Sequence, residues 1–98
     1  MKKEAVVIDP RDNVATGTVE LKKGQKVSMF VGDTVHEVVV QNDIPFGHKL
    51  AIKDIAKGEH VVKYGESIGK ATRDIKVGEH VHVHNVESER GRGDLKQG

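Results

Sequence analysis

An all-β domain of short strands and tight glycine turns is the fold class this sequence predicts, and two observations carry the prediction. The apolar residues are skewed to β-branched types, sixteen Val and six Ile against three Leu. Such side chains fit a pleated, half-buried surface better than a helix. Short apolar runs also alternate with Gly, Asp and Lys clusters, and no segment holds a helical period long enough for a long helix.

The predicted strands are Ala5 to Ile8, Val14 to Thr18, Lys26 to Val31, Val35 to Val40, Lys49 to Ile52, His60 to Lys63 and His80 to Val86. Between them, Lys23-Gly24, Gly32-Asp33, Lys57-Gly58, Tyr64-Gly65 and Val77-Gly78 each offer a position that tolerates positive φ. One unit repeats. Asp54-Ile55-Ala56-Lys57-Gly58-Glu59-His60-Val61 returns as Asp74-Ile75-Lys76-Val77-Gly78-Glu79-His80-Val81, with a looser copy at Glu20-Leu21-Lys22-Lys23-Gly24-Gln25-Lys26-Val27. Each reads as a turn anchored by one buried Ile or Leu and closed at the Gly. The spacings are uneven, so a compact barrel-like fold explains them better than a solenoid. The tail from Glu87 to Gly98 holds one apolar residue, Leu95, and is expected to be a flexible tail or a linker to a partner.

The chain of 98 residues fits one compact domain with little room for a deep pocket of its own, which favours a module over a self-sufficient enzyme. Cysteine is absent, so any metal must be held by His, Asp, Glu or carbonyl oxygen. Sixteen Lys and Arg nearly balance fifteen Asp and Glu, and only three aromatics are present. Nucleic acid is therefore not an expected partner. The four apolar residues before Asp9 are too few for an export signal or a membrane span, so a cytoplasmic protein without membrane contact is the expectation.

The strongest chemical feature is His80-Val81-His82-Val83-His84-Asn85. On a continuous strand, alternation puts three imidazoles on one face. Two of them can meet one ion at bond lengths near ~2.1 Å, and His82 and His84 are the expected pair, with His80 beside the Gly78 turn and facing solvent. A catalytic site usually takes three protein ligands and an open position, so a further ligand must come from elsewhere in the chain or from a partner. His48-Lys49 follows the Pro45-Phe46-Gly47 turn: His48 is a candidate general acid or base, and Lys49 a point charge for a carboxylate or enolate. Arg90 and Arg92, set between glycines, and Asn85 are the candidate substrate-binding residues. His36 reads as a packing or surface residue.

Taken in order, Gly47 to Ile55, Val62-Lys63-Tyr64-Gly65, Ile68-Gly69 and Gly78 to Asn85 resemble the SAF domain of altronate and galactarate dehydratases, over about residues 5 to 86. The same module is similar to the small subunit of sulfolactate sulfo-lyases. The resemblance implies a β-clip architecture for residues 1–86, a divalent metal, Fe²⁺ by preference, and a larger catalytic subunit that removes water from a sugar acid. His48, His82 and His84 match the module's motif and inherit candidate roles. The chain ends at Gly98 where the single-chain dehydratases continue, so either a split lyase of two chains or a piece cut at a domain boundary is expected, with homo-oligomers possible. The alternatives are the alpha subunit of a (2R)-sulfolactate sulfo-lyase and a non-catalytic SAF module that binds carbohydrate or protein. A pilus or flagellum assembly chaperone is a weaker reading.

Overall fold

A computed structural model describes residues 4–88, and among these every regular element is a β-strand. The strands are β1 (Ala5–Val6), β2 (Val14–Gly17), β3 (Lys26–Val31), β4 (Thr34–Val39), β5 (Lys49–Ala51), β6 (His60–Lys63), β7 (Glu66–Ala71), β8 (His80–Val81) and β9 (Val86–Ser88). They form three antiparallel sheets, ordered β1-β2-β5-β8, β3-β4 and β6-β7-β9. Among the described residues no helix is long and apolar enough to cross a membrane.

The turn unit seen in the sequence has a common construction. In each copy the glycine takes a left-handed φ, 91° at Gly24, 89° at Gly58 and 92° at Gly78. It stands third in a four-residue turn, closed by the amides of Gln25, Glu59 and Glu79 donating to the carbonyls of Lys22, Ala56 and Lys76. This is the pattern of a type II turn, which needs positive φ at that position. The glycine amide then donates to a neighbouring segment: Gly24 to the Val40 carbonyl, Gly58 to Ala71 and Gly78 to Ala51.

The structure adds a fourth copy, Asp43-Ile44-Pro45-Phe46-Gly47-His48-Lys49-Leu50. Gly47 has φ 82°, its amide donates to the Gly17 carbonyl, and the His48 amide donates to the Pro45 carbonyl. The four copies pair in twos. Leu21 and Ile44 exchange both backbone hydrogen bonds, and so do Ile55 and Ile75. The aspartates cross between partners: Asp43 accepts the Lys23 amide, Asp74 the Lys57 amide and Asp54 the Val77 amide. Each pair seeds one core. Leu21 and Ile44 pack with Val27, Met29, Val38, Val40 and Leu50, while Ile55 and Ile75 pack with Val14, Ala51, Val61 and Val81.

Two sequence expectations need correction. The stretch His80 to Val86 is not one strand: β8 ends at Val81, residues 82–85 turn, and β9 begins at Val86. Asn85 is the cause, because its side-chain oxygen accepts the His82 amide across the turn. Strand β7 was not among the predicted strands, yet it is the centre of its sheet, between β6 and β9.

The turn glycines do not all bear the same load. A Cβ on Gly78 would collide with the Val39 carbonyl oxygen, whereas one on Gly47 would meet nothing within 4 Å. Gly47→Ala is therefore expected to cost about 1–2 kcal/mol, the left-handed backbone alone, and Gly78→Ala clearly more than that. Chemical denaturation of both variants checks this, and equal losses would show that the Val39 contact has no role.

Candidate functional site

Antiparallel pairing of β5 with β8 sets Lys49 opposite Val81 and Leu50 opposite His80. That register carries His48, just before β5, to the histidines at the end of β8, across 32 residues of sequence. His48 Nδ1 lies 2.9 Å from His80 Nε2. The His48 and His82 rings stack at 4.1 Å between centroids, and His80 stacks on His48 at 5.1 Å. Three imidazole nitrogens, one each from His48, His80 and His82, lie within 4.8 Å of one another.

The turn unit accounts for why His48 is available. In the other three copies the residue after the glycine is Gln25, Glu59 or Glu79, and its side chain accepts the amide at the head of the same turn, from Lys22, Ala56 or Lys76. In the fourth copy the head residue is Pro45, which has no N–H to satisfy. The side chain after Gly47 is thereby released from the turn. The backbone of His48 is still held, donating to Pro45 and accepting from the Gly17 amide.

His80 and His82 are held by asparagines. The His80 amide donates to Asn42 Oδ1. Asn85 is only 1 % exposed, its Nδ2 donates to the His80 carbonyl and its Oδ1 accepts from the His82 amide. Among the three clustered histidines His82 is the most open to solvent.

Two imidazoles bound to one ion at right angles, with bonds near ~2.1 Å, have nitrogens about 3.0 Å apart. In this structure the 2.9 Å contact between His48 and His80 is a ring-to-ring hydrogen bond, and its length matches the spacing of two such ligands. Burial pushes the His80 imidazolium below its usual 6.5, and charge on His84, His48 and His82 adds to the effect. His82 is lowered by burial, then by His48, Lys49 and His84. Neutral imidazole is the form that binds a metal.

The other predicted residues fall around this cluster. His84 is exposed in the 82–85 turn and its ring meets His80, tilted by 36° at 5.0 Å; among the described residues it makes no ring contact with His82. The strand face expected to carry His82 and His84 together ends at Val81, and the ring stacked nearest to His82 is that of His48. His80, expected to face solvent, is half-buried inside the cluster. Lys49 is half-buried, and burial lowers its ammonium pKa, with Lys63 adding to the shift and Tyr64 opposing it. Both polar ends of the Asn85 side chain are engaged by backbone, so its geometry offers support of the histidines. Arg90 and Arg92 lie outside the described residues.

The whole described stretch matches the model of the altronate/galactarate dehydratase SAF domain, over residues 3–89. The chain belongs to this SAF domain family. It is 43% identical over 93 residues to the (2R)-sulfolactate sulfo-lyase subunit alpha of Chromohalobacter salexigens, covering 92% of this chain and 99% of that subunit. It is also 43% identical over 81 residues to the altronate dehydratase of Escherichia coli and 37% identical over 86 residues to that of Bacillus subtilis. These alignments cover 83% and 88% of this chain but 16% of either dehydratase. The SAF domain therefore spans a small fraction of the dehydratases it matches and nearly all of the sulfo-lyase subunit.

The lowered histidines of this SAF domain couple its stability to pH. The unfolded chain takes up protons at the ordinary 6.5 and the folded chain at a lower pH. The histidine contribution is thus full above 6.5 and is lost as pH falls from there through the folded values. Thermal melts between pH 8 and pH 5 should show stability falling below about pH 6.5, with a shallower slope in His80→Gln. An equal slope in both would remove His80 as a source.

Proposed function

We propose that this SAF domain is the small, histidine-bearing subunit of a metal-dependent lyase that dehydrates a sugar acid of the altronate/galactarate type, acting with a larger catalytic chain. The convergence of His48, His80 and His82 carries the reading. Family membership supports a lyase context, since the matched relatives are named as dehydratases and as a sulfo-lyase subunit.

His48, His80 and His82 hold the divalent ion in this reading, with Fe²⁺ the expected choice and His84 a reserve ligand beside His80. An ion so held supplies Lewis acidity toward an oxygen of the bound acid, easing loss of hydroxide and stabilising an enolate. With Nδ1 turned to the ion, His48 keeps its proton on Nε2 and donates it as a hydrogen bond to the bound acid. Lys49 orients a carboxylate as a point charge. Asn85 fixes the backbone of His80 and His82, and Arg90 and Arg92 serve as bidentate partners of the acid.

A second reading, the alpha subunit of a (2R)-sulfolactate sulfo-lyase, is favoured by the match over 99% of such a subunit. The two differ in the leaving group and share the site. A non-catalytic SAF module that binds carbohydrate or protein has no need of three converging imidazoles.

The chain, alone and mixed with its larger partner candidate, should be assayed anaerobically with Fe²⁺ on altronate, galactarate and sulfolactate. Turnover is expected only in the mixture, and the substrate consumed selects between the readings. His80→Ala and His82→Ala should each lower divalent-ion affinity by at least about tenfold while keeping the β fold by circular dichroism. A stable complex that turns over none of the three acids would overturn the lyase assignment.

A further inference from the structure

Beside the histidines runs an open groove of about 340 Å³, lined by Lys49, Lys63, Tyr64, Val81 and His82 among others. We propose that this groove receives an acid group, carboxylate or sulfonate, held between Lys49 and Lys63. That the same molecule reacts at the histidines rests on the lyase reading above; the anion site does not.

Two independent observations support it. Lys49 comes from β5 and Lys63 from the end of β6, both are half-buried, and neither has a carboxylate within ion-pair distance among the described residues. Two ammonium groups turned to one partly apolar space repel each other, and an anion between them removes the repulsion.

The second observation is the backbone of Tyr64. In the two-residue turn between β6 and β7, Tyr64 has φ 57° and Gly65 has φ 72°. Asn or Gly suits the first of these positions, and a bulky side chain there is strained. The turn is fixed by buried Asp12, whose Oδ1 accepts the Gly65 amide at 2.8 Å. Lys63 Nζ sits 4.9 Å from the centre of the Tyr64 ring, so the tyrosine steadies that ammonium at the groove. Strain kept at a groove-lining residue points to a use for its side chain.

The test is an amide NMR titration of the full, metal-free chain at low ionic strength, with galactarate, sulfolactate and neutral galactitol as probes. Saturable shifts at Lys49, Lys63, Tyr64 and His82 are expected with the acids and none with galactitol. Acetate and methanesulfonate, each with a single acid group, then separate the two: tighter binding of methanesulfonate would mark a sulfonate site, and tighter binding of acetate a carboxylate site. Lys63→Gln should weaken acid binding about fivefold, and the exposed-lysine control Lys57→Gln should not. Tyr64→Asn should raise the melting temperature while weakening acid binding. Absence of saturable shifts, or equal weakening by Lys57→Gln, would overturn the site. Because no metal is present, failure here leaves the metal-dependent reading standing, and failure of that reading leaves the acid titration unaffected.

Discussion

The domain depends on one backbone hydrogen bond made four times, from a left-handed glycine amide to the carbonyl of a neighbouring segment. A short chain with strands of two to six residues cannot rely on long ladders for cohesion. Each glycine turn ties the end of one strand to another part of the fold and buries an Ile or Leu close by. Pairing of the turns through Leu21 with Ile44 and Ile55 with Ile75 then produces two small cores, each built around one pair. The crossed aspartates satisfy turn amides that the tight geometry leaves without strand partners.

The histidine cluster arises where one copy departs from this construction. Three turns use the side chain after the glycine to accept the amide at their own head. Pro45 removes that amide in the fourth, and a histidine can stand where Gln or Glu stands elsewhere. The β5–β8 register then sets His48 against His80 and His82, while buried Asn85 bends the chain after β8. Side chains placed by backbone hydrogen bonds on both sides are pre-organised, which is what a metal or proton-transfer site requires.

Much of the scaffold was legible in the sequence because its signals are local. Gly24, Gly32, Gly58, Gly65 and Gly78 all adopt positive φ, as the turn pairs indicated, and Tyr64 does so as well. The strands around Val27, Val38 and Val61 followed from β-branched runs. Strand β7 escaped because Glu66-Ser67-Ile68-Gly69-Lys70-Ala71 carries one large apolar residue and a glycine. Gly69 is there for close approach, since a Cβ would lie 2.5 Å from the Glu87 carbonyl oxygen. The fourth turn copy was hidden by Pro45, Phe46 and His48, the residues that make it different. His48 could be singled out as a candidate, but its junction with His80 depends on long-range pairing that spacing alone does not encode. The break after Val81 was missed for a related reason: alternation of His and Val reads as strand, and the buried amide of Asn85 overrides it.

Restoring the common turn tests the central claim most directly. In the double variant Pro45→Ala with His48→Glu, the new Glu can accept the new Ala amide, as Glu59 and Glu79 do in their turns. Calorimetric titration with a divalent ion should then show affinity reduced by at least about tenfold, in a protein that melts no lower than the parent. Unchanged affinity would contradict the account, since it would place the ion away from the residue that the altered turn releases.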